Sequence, residues 1–216
     1  MTPLEIVKLA KAKGLDIIGI TDHNSTLQSR EIQKIGEREG LYVLCGAEVT
    51  TKEEVHVVVL VNGDENLNSL QNYLQENLIK VPNNPEIFGY QLVVDELENV
   101  LYQEDNLLIG SIDRSIEEVE EFVHSLGGIF IPAHIDKQQN SLISQLGFVP
   151  LHLAVDALEL SYRVSKEEFL KSNPYLKNYP FITSSDAHYP QEIGRSFTNL
   201  EMAEISFENI KNALKR

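Results

Sequence analysis

Ile18-Gly19-Ile20-Thr21-Asp22-His23-Asn24-Ser25 is the stretch on which the reading of this chain turns. The apolar run from Ile17 to Ile20 stops abruptly at a carboxylate, an imidazole and two small polar residues. A buried parallel strand looks like this when it delivers side chains to a site at its C-terminal end. Three later stretches repeat the pattern: Tyr42-Val43-Leu44-Cys45-Gly46-Ala47-Glu48, Ile129-Phe130-Ile131-Pro132-Ala133-His134, and Phe181-Ile182-Thr183-Ser184-Ser185-Asp186-Ala187-His188. Four such endings, each finishing in His, Asp or Glu, point to a shared metal site.

Around these endings the apolar periodicity predicts strands at 16–21, 41–49, 55–61, 129–133, 157–160 and 181–184. Helices are predicted at 3–13, 26–39, 66–80, 115–126, 141–146, 166–172 and 206–215, with Thr2 capping the first and Ser115 and Glu118 forming a capping box. Only seven residues separate Glu48 from His56, whereas a crossover helix needs a dozen or more. Residues 49–55 should therefore turn, and 55–61 should run back beside the preceding strand, bringing His56 close to Glu48.

Alternating strands and helices mean an α/β fold with a mostly parallel sheet. Ligands spread over several strand ends favour a barrel, because a barrel brings distant strand ends together. A doubly wound sheet is the alternative. Residues 1–216 read as one domain, and 81–114, with Pro82, Pro85 and scattered short apolar pieces, as an insertion on its side or rim.

With 42% apolar and 24% charged residues, the composition is that of an ordinary soluble globular protein. No apolar run approaches the roughly 18 residues that span a bilayer, and the N-terminus lacks a signal-peptide layout. A lone Cys45 inside an apolar run excludes an intrachain disulfide, suits a cytoplasmic location and reads as a buried, inert thiol. The net charge of −15 repels a polyphosphate, so long nucleic acid is not expected as a partner. A small phosphorylated substrate stays open, because bound divalent cations reverse the local potential.

The candidate site comprises His23, Glu48, His56, His134, Asp186 and His188. Nitrogen and carboxylate donors without thiolates suit Zn, Mn or Fe and argue against a structural zinc site. In extended backbone Asp186 and His188 share a face, so both should point at one cavity. Each residue also has a plainer reading: His23 beside a helix capped by Asn24 or Ser25, Glu48 as a solvated acid, His56 as a satisfied sheet residue. One geometry accounts for all six. His124 reads as a partly exposed helix residue, and His152 also reads as structural.

Together, Ile20-Thr21-Asp22-His23-Asn24, Gly46-Ala47-Glu48, Val55-His56, Pro132-Ala133-His134 and Ser185-Asp186-Ala187-His188 resemble the PHP family, named for polymerase and histidinol phosphatase. The resemblance runs in order over nearly the whole chain. It implies a distorted (β/α)7 TIM-like barrel with up to three divalent metals at the C-terminal strand ends. It further implies phosphoester hydrolysis through a metal-bound hydroxide, on substrates such as histidinol phosphate, nucleotides or short oligonucleotide ends. By the same resemblance Glu48 bridges two metals, His56 and His134 hold the second, Asp186 the first, and His23 and His188 the third. Glu48 and Asp186 are then the catalytic carboxylates, with Asp22 as a supporting acid. Arg195 and Arg163 are candidates for binding substrate phosphate, each with a plain surface role as the alternative.

One departure stands out. Family members open with a strand bearing His-x-His, and this sequence contains none, beginning at Met1-Thr2-Pro3 where the first helix should start. The expectation is a barrel missing its first strand, through a shortened N-terminus or a natural degenerate form, with fewer than three metals. A non-catalytic PHP-type module that binds metal or a phosphorylated ligand is the alternative. An amide hydrolase on a similar barrel is disfavoured, because no strand end carries a candidate carbamylated lysine.

Overall fold

The computed structural model describes residues 1–215. Helix α1 (Pro3–Ala12) begins where Thr2 and Pro3 predict, with Glu5 completing a reciprocal cap on Thr2. Strand β1 (Ile17–Ile20) leads into α2 (Leu27–Glu39), which Gly40 ends in the left-handed conformation. Strands β2 (Tyr42–Thr50) and β3 (His56–Val61) form the predicted hairpin, paired from Cys45 opposite Val61 to Thr50 opposite His56. Helix α3 (Asp64–Asn77) buries Leu67, Leu70 and Leu74 along its apolar stripe. Within 81–114 lie a short helix α4 (Pro85–Phe88) and a hairpin of β4 (Gln91–Val94) and β5 (Val100–Glu104). Helix α5 (Ile116–Ser125) carries the Ser115–Glu118 capping box. Strand β6 (Ile129–Pro132), α6 (Leu142–Leu146), β7 (Leu158–Leu160), α7 (Lys166–Ser172), β8 (Phe181–Thr183) and α8 (Phe207–Leu214) follow.

The main sheet has the order β1-β2-β3-β6, and β7 and β8 form a separate parallel pair. The sheet is mixed where a mostly parallel one was expected: β1–β2 is parallel, but β2–β3 and β3–β6 are antiparallel. The cause is the short 51–55 turn, which leaves no room for a crossover. Since β3 alone is reversed, β6 again points the same way as β1 and β2. Two backbone bonds, Asp156 N–H to Phe130 O (3.0 Å) and Ile135 N–H to Glu159 O (2.9 Å), tie β6 to the segment around β7. At β8, Thr198 occupies the backbone of Thr183, accepting from its N–H at 2.8 Å and donating to its carbonyl at 2.9 Å. Among the described residues the strands form an open arc, and no ladder closes them into the expected barrel.

Period-two alternation divides the core. From β2, Val43, Cys45, Ala47 and Val49 join Val7, Ile32, Ile35, Leu70 and Leu74 in the layer beneath the helices. Leu44 turns to the opposite face, where Leu60, Ile129, Ile131 and Ala157 meet Phe207, Ile210 and Leu214 of α8. Glu48 shares the parity of Leu44 and therefore lies on this inner face. Gly46 lies between them, and a Cβ there would stand 1.8 Å from the Val59 carbonyl oxygen. Only glycine allows the two strands to approach so closely.

The 81–114 segment sits on the rim. Gln28 donates to Val94 O and accepts from Val94 N–H, at 3.0 and 2.9 Å. Asn24, which with Ser25 was the alternative cap residue beside His23, donates to Leu108 O (2.8 Å) and Gly110 O (2.6 Å), while Thr26 occupies the cap position without a side-chain bond to the helix. Cys45 is buried, as expected, and burial pushes its thiol pKa up. His152 is exposed, 3.5 Å from Glu117. His124 is more engaged than a helix-surface residue: its ring bridges Glu120 and the buried Asp156, with Nε2 3.1 Å from Asp156 Oδ2. Asp156 also accepts from Phe130 N–H at 2.9 Å and pairs with Lys215 at 3.2 Å.

Two outcomes are expected. Gly46→Ala forces backbone movement between β2 and β3 and should cost about 3 kcal/mol, an overpacking penalty, read as a lowered midpoint in denaturant melts. The Asp156 and Glu120 carboxylates beside His124 raise its pKa. Its stabilisation is therefore complete below the unfolded value of about 6.5 and is lost as pH rises through the folded value. Thermal melts at a series of pH values should show wild-type stability falling over that window, with His124→Gln flattening the fall.

Candidate metal centre

The site is built where β1, β2, β3 and β6 meet the rim. Parallel pairing continues past the end of β1 as a bridge between His23 and Glu48. Glu48 N–H donates to Asp22 O at 3.1 Å, and Asn24 N–H donates to Glu48 O at 3.0 Å. Asp22 thus contributes its backbone carbonyl to this pairing. The hairpin returns His56 to the same rim, its N–H donating to Asn140 O at 2.8 Å and its carbonyl accepting from Ala133 N–H at 2.9 Å. His134 follows directly on β6 and is buried.

Three imidazoles consequently surround one buried carboxylate. His23 Nδ1 lies 3.4 Å from Glu48 Oε2, and His56 Nδ1 and His134 Nε2 each lie 3.4 Å from Glu48 Oε1. Two donors about 2.1 Å from one ion at the tetrahedral angle stand about 3.4 Å apart. The ligand atoms of His23, Glu48 and His56 all fall within 4.8 Å of one another. Among the described residues, the buried Nδ1 atoms of His23 and His134 have no hydrogen-bond partner, although buried polar atoms are normally satisfied. Donor chemistry, spacing and the orphaned His23 Nδ1, which faces Glu48 Oε2, fit a divalent cation; the orphaned Nδ1 of His134 is the ring atom opposite the one that faces Glu48.

Burial alone would raise the Glu48 pKa, but the imidazoles of His134 and His56 turned toward it hold it well below the usual carboxylate range. Burial lowers the pKa of His23, with the Glu48 charge opposing it. An ionised carboxylate ringed by imidazole nitrogens offers the donor types a divalent metal takes.

Asp186 and His188 behave differently from expectation. Asp186 has φ +47°, so the stretch is not extended and the two side chains do not share a face. His188 is exposed, its Nδ1 3.0 Å from the Asp186 carbonyl, while the Asp186 carboxylate is held by Lys137 Nζ at 2.6 Å. Left-handed backbone recurs at Asn24 (φ +46°) and His134 (φ +32°), also at the ends of site strands. Such conformations cost on the order of 1–3 kcal/mol each and persist only where surrounding contacts fix them.

A cavity of about 230 Å³ opens beside His134 and includes Lys137, Glu159, Tyr162, Arg163 and Arg195 in its wall. The two arginines singled out in the sequence therefore face one space. The Arg195 guanidinium lies 3.8 Å from the Tyr162 ring centroid and donates to Glu192 at 2.7 Å and to Ser185 O at 3.0 Å. Arg163 Nε donates to the Tyr162 hydroxyl at 3.3 Å. Glu159 and Lys137 were missed. Glu159 is buried, accepts from His134 N–H at 3.0 Å and from the Ser184 hydroxyl, and has its pKa raised by burial. Its signal was available: an acid between Leu158 and Leu160 in a buried strand needs partners. Lys137 carried no such mark.

Comparison with known proteins follows the same lines. Residues 1–135 match the PHP domain and residues 176–216 the PHP-associated region. Among curated proteins, uncharacterized protein YqxK of Bacillus subtilis (strain 168) is 26% identical over 235 residues, covering 97% of this chain and 54% of that protein. The chain thus spans about half the length of this relative. Among solved structures, the lesion-specific endonuclease PfuEndoQ of Pyrococcus furiosus aligns over 100% of this chain and 51% of its own, with TM-score 0.67 and 19% identity. An endonuclease Q complexed with a 27-mer duplex bearing an abasic lesion aligns with the same coverage, TM-score 0.65 and 21% identity. A protein of Bifidobacterium adolescentis, described provisionally as a metal-dependent phosphoesterase, covers 99% of this chain and 90% of its own at TM-score 0.61 and 17% identity. With more than half of its length matched, and with its acid and imidazole residues gathered at one rim of a mixed α/β fold, the chain belongs to the PHP domain family.

Proposed function

We propose that this chain is a metal-dependent phosphoesterase, and that Glu48, His56 and His134, with His23 beside them, hold its divalent cation. The observation that carries the reading is the buried Glu48 carboxylate with three imidazole nitrogens at 3.4 Å. Nitrogen and oxygen donors in this mixture suit Zn, Mn or Fe. When bound, the cation supplies Lewis acidity toward a phosphoryl oxygen and lowers the pKa of a water nucleophile.

The chain's own residues supply the rest. Glu48 keeps its negative charge at neutral pH, and the imidazoles around it offer nitrogen donors. Arg163 and Arg195 line the adjacent cavity and orient the phosphoryl oxygens, with Tyr162 as the platform that fixes the Arg195 plane. Asp186 stands at the cavity wall as the second carboxylate, and His188 at the rim as an outer ligand. We read the arc of strands as part of a TIM-like barrel whose strand ends converge on this centre.

The substrate is a phosphomonoester or a phosphodiester. Net charge does not decide between a small molecule and a nucleic-acid strand: a fold relative has been captured on duplex DNA, which counts against excluding long nucleic acid on charge alone. A chelator-stripped sample, reloaded with Mn2+ or Zn2+, should hydrolyse a generic phosphomonoester or phosphodiester. Glu48→Gln should weaken metal binding and reduce the rate roughly a thousandfold, since metal stabilisation of the transition state is worth several kcal/mol. Hydrolysis indifferent to chelation, or to Glu48→Gln, sinks the assignment. Tight metal binding with no turnover across a panel that includes an abasic duplex favours the non-catalytic module instead.

A further inference from the structure

Glu159 is an acid in the middle of a buried strand, and the proposed chemistry leaves it unused. It sits in β7 between Leu158 and Leu160, all three buried. Its side chain reaches two strand ends. Oε2 accepts from His134 N–H at 3.0 Å, and Oε1 accepts from the hydroxyl of Ser184, the residue after β8. Its own carbonyl accepts from Ile135 N–H at 2.9 Å. One residue therefore holds two successive amides just past the end of β6.

What those amides position is His134, whose Nε2 faces Glu48 Oε1 at 3.4 Å. A metal-binding histidine is ordinarily aimed by a hydrogen bond from its other ring nitrogen, which fixes both the ring plane and the tautomer. His134 lacks that support: among the described residues its buried Nδ1 has no hydrogen-bond partner. The ring is aimed from its backbone instead. His134 has φ +32°, a conformation that side chains rarely adopt, and the Glu159 carboxylate and carbonyl hold the chain in it. His56, by contrast, lies in the regular ladder of β3.

We propose that Glu159 is the positioning residue of the centre: it sets the aim of His134 through the main chain, where such a histidine is ordinarily fixed through its ring. A carboxylate suits this task because its two oxygens accept from two elements at once, joining the end of β6 to the end of β8. Glu159 is not a ligand in this role and acts only through His134. This inference rests on the metal-binding reading of the Glu48 cluster.

Cobalt binding tests it, because the visible bands of bound Co2+ report the geometry of its ligands. Metal-stripped full chain is titrated with Co2+ and followed by absorption, with circular dichroism to confirm folding. Glu159→Ala should weaken Co2+ binding roughly 10–100-fold, the usual consequence of losing such an outer partner, and should shift the bands. Glu159→Gln should restore both, since its amide oxygen accepts from His134 N–H while its amide nitrogen donates to the Ser184 oxygen. Glu159→Asp keeps the charge but is too short to span both partners. It should bind as weakly as Glu159→Ala, and it carries the test if the alanine variant does not fold. Leu70→Val, a truncation in the core face of α3, should lower stability and leave Co2+ affinity unchanged. Wild-type affinity in Glu159→Asp, Glu159→Gln binding no better than Glu159→Asp, or an equal loss in Leu70→Val overturns the role of Glu159 while the Glu48 centre stands. If wild type binds no Co2+, both readings fall.

Discussion

A carboxylate buried in an apolar sheet is the constraint to which the rest of the structure answers. Removing an ionised carboxylate from water costs several kcal/mol unless nearby groups compensate, and Glu48 is only 8% exposed. Compensation comes from three separate elements. The continuation of β1 places His23, the reversed β3 returns His56, and the end of β6 delivers His134. The reversal of β3 is part of this solution. It places the first residue of β3 at the rim where its neighbours end, so a single short turn supplies a second donor beside the first.

The backbone at the rim is shaped to the same end. Asn24, His134 and Asp186 all take left-handed conformations that side chains rarely adopt. At His134 the cost is met by Glu159, whose carboxylate accepts the His134 N–H and whose carbonyl accepts the next amide. At Asn24 the buried amide binds Leu108 and Gly110 carbonyls and accepts from Thr50 N–H at 3.1 Å, fastening the 81–114 segment to β2. A protein carrying −15 overall thus holds Lys137, Arg163 and Arg195 around one small cavity. A local potential set by such a cluster can oppose the field of the whole molecule.

Much of this was legible in the sequence because it is local. An apolar run ending in His or Glu declares a strand that presents a site, and seven residues between Glu48 and His56 leave room only for a turn. The features that escaped are those set by tertiary contacts. Asp186-Ala187-His188 looked extended by its spacing, but Asp186 is left-handed and held by Lys137, which is distant in sequence. Asn24 and Ser25 were both open as caps by residue type, and Asn24 is instead taken up by a buried set of carbonyls. His124 is the partly exposed helix residue expected, but its bond to Asp156, 32 positions away, had no local signal. Strand order and sheet closure likewise depend on pairings that no local pattern encodes.

The β2–β3 hairpin also bears on how the protein folds. Glu48 and His56 belong to neighbouring strands joined by one tight turn, and hairpins of this kind form in roughly 1–10 μs. His134 must be brought in by closing a loop of more than seventy residues, and Asp186 by a longer one still, steps that topology makes slow. Half of the acid and imidazole cluster is therefore local in the chain, while the other half depends on contacts between distant segments, so the rim is completed only when the whole sheet has formed.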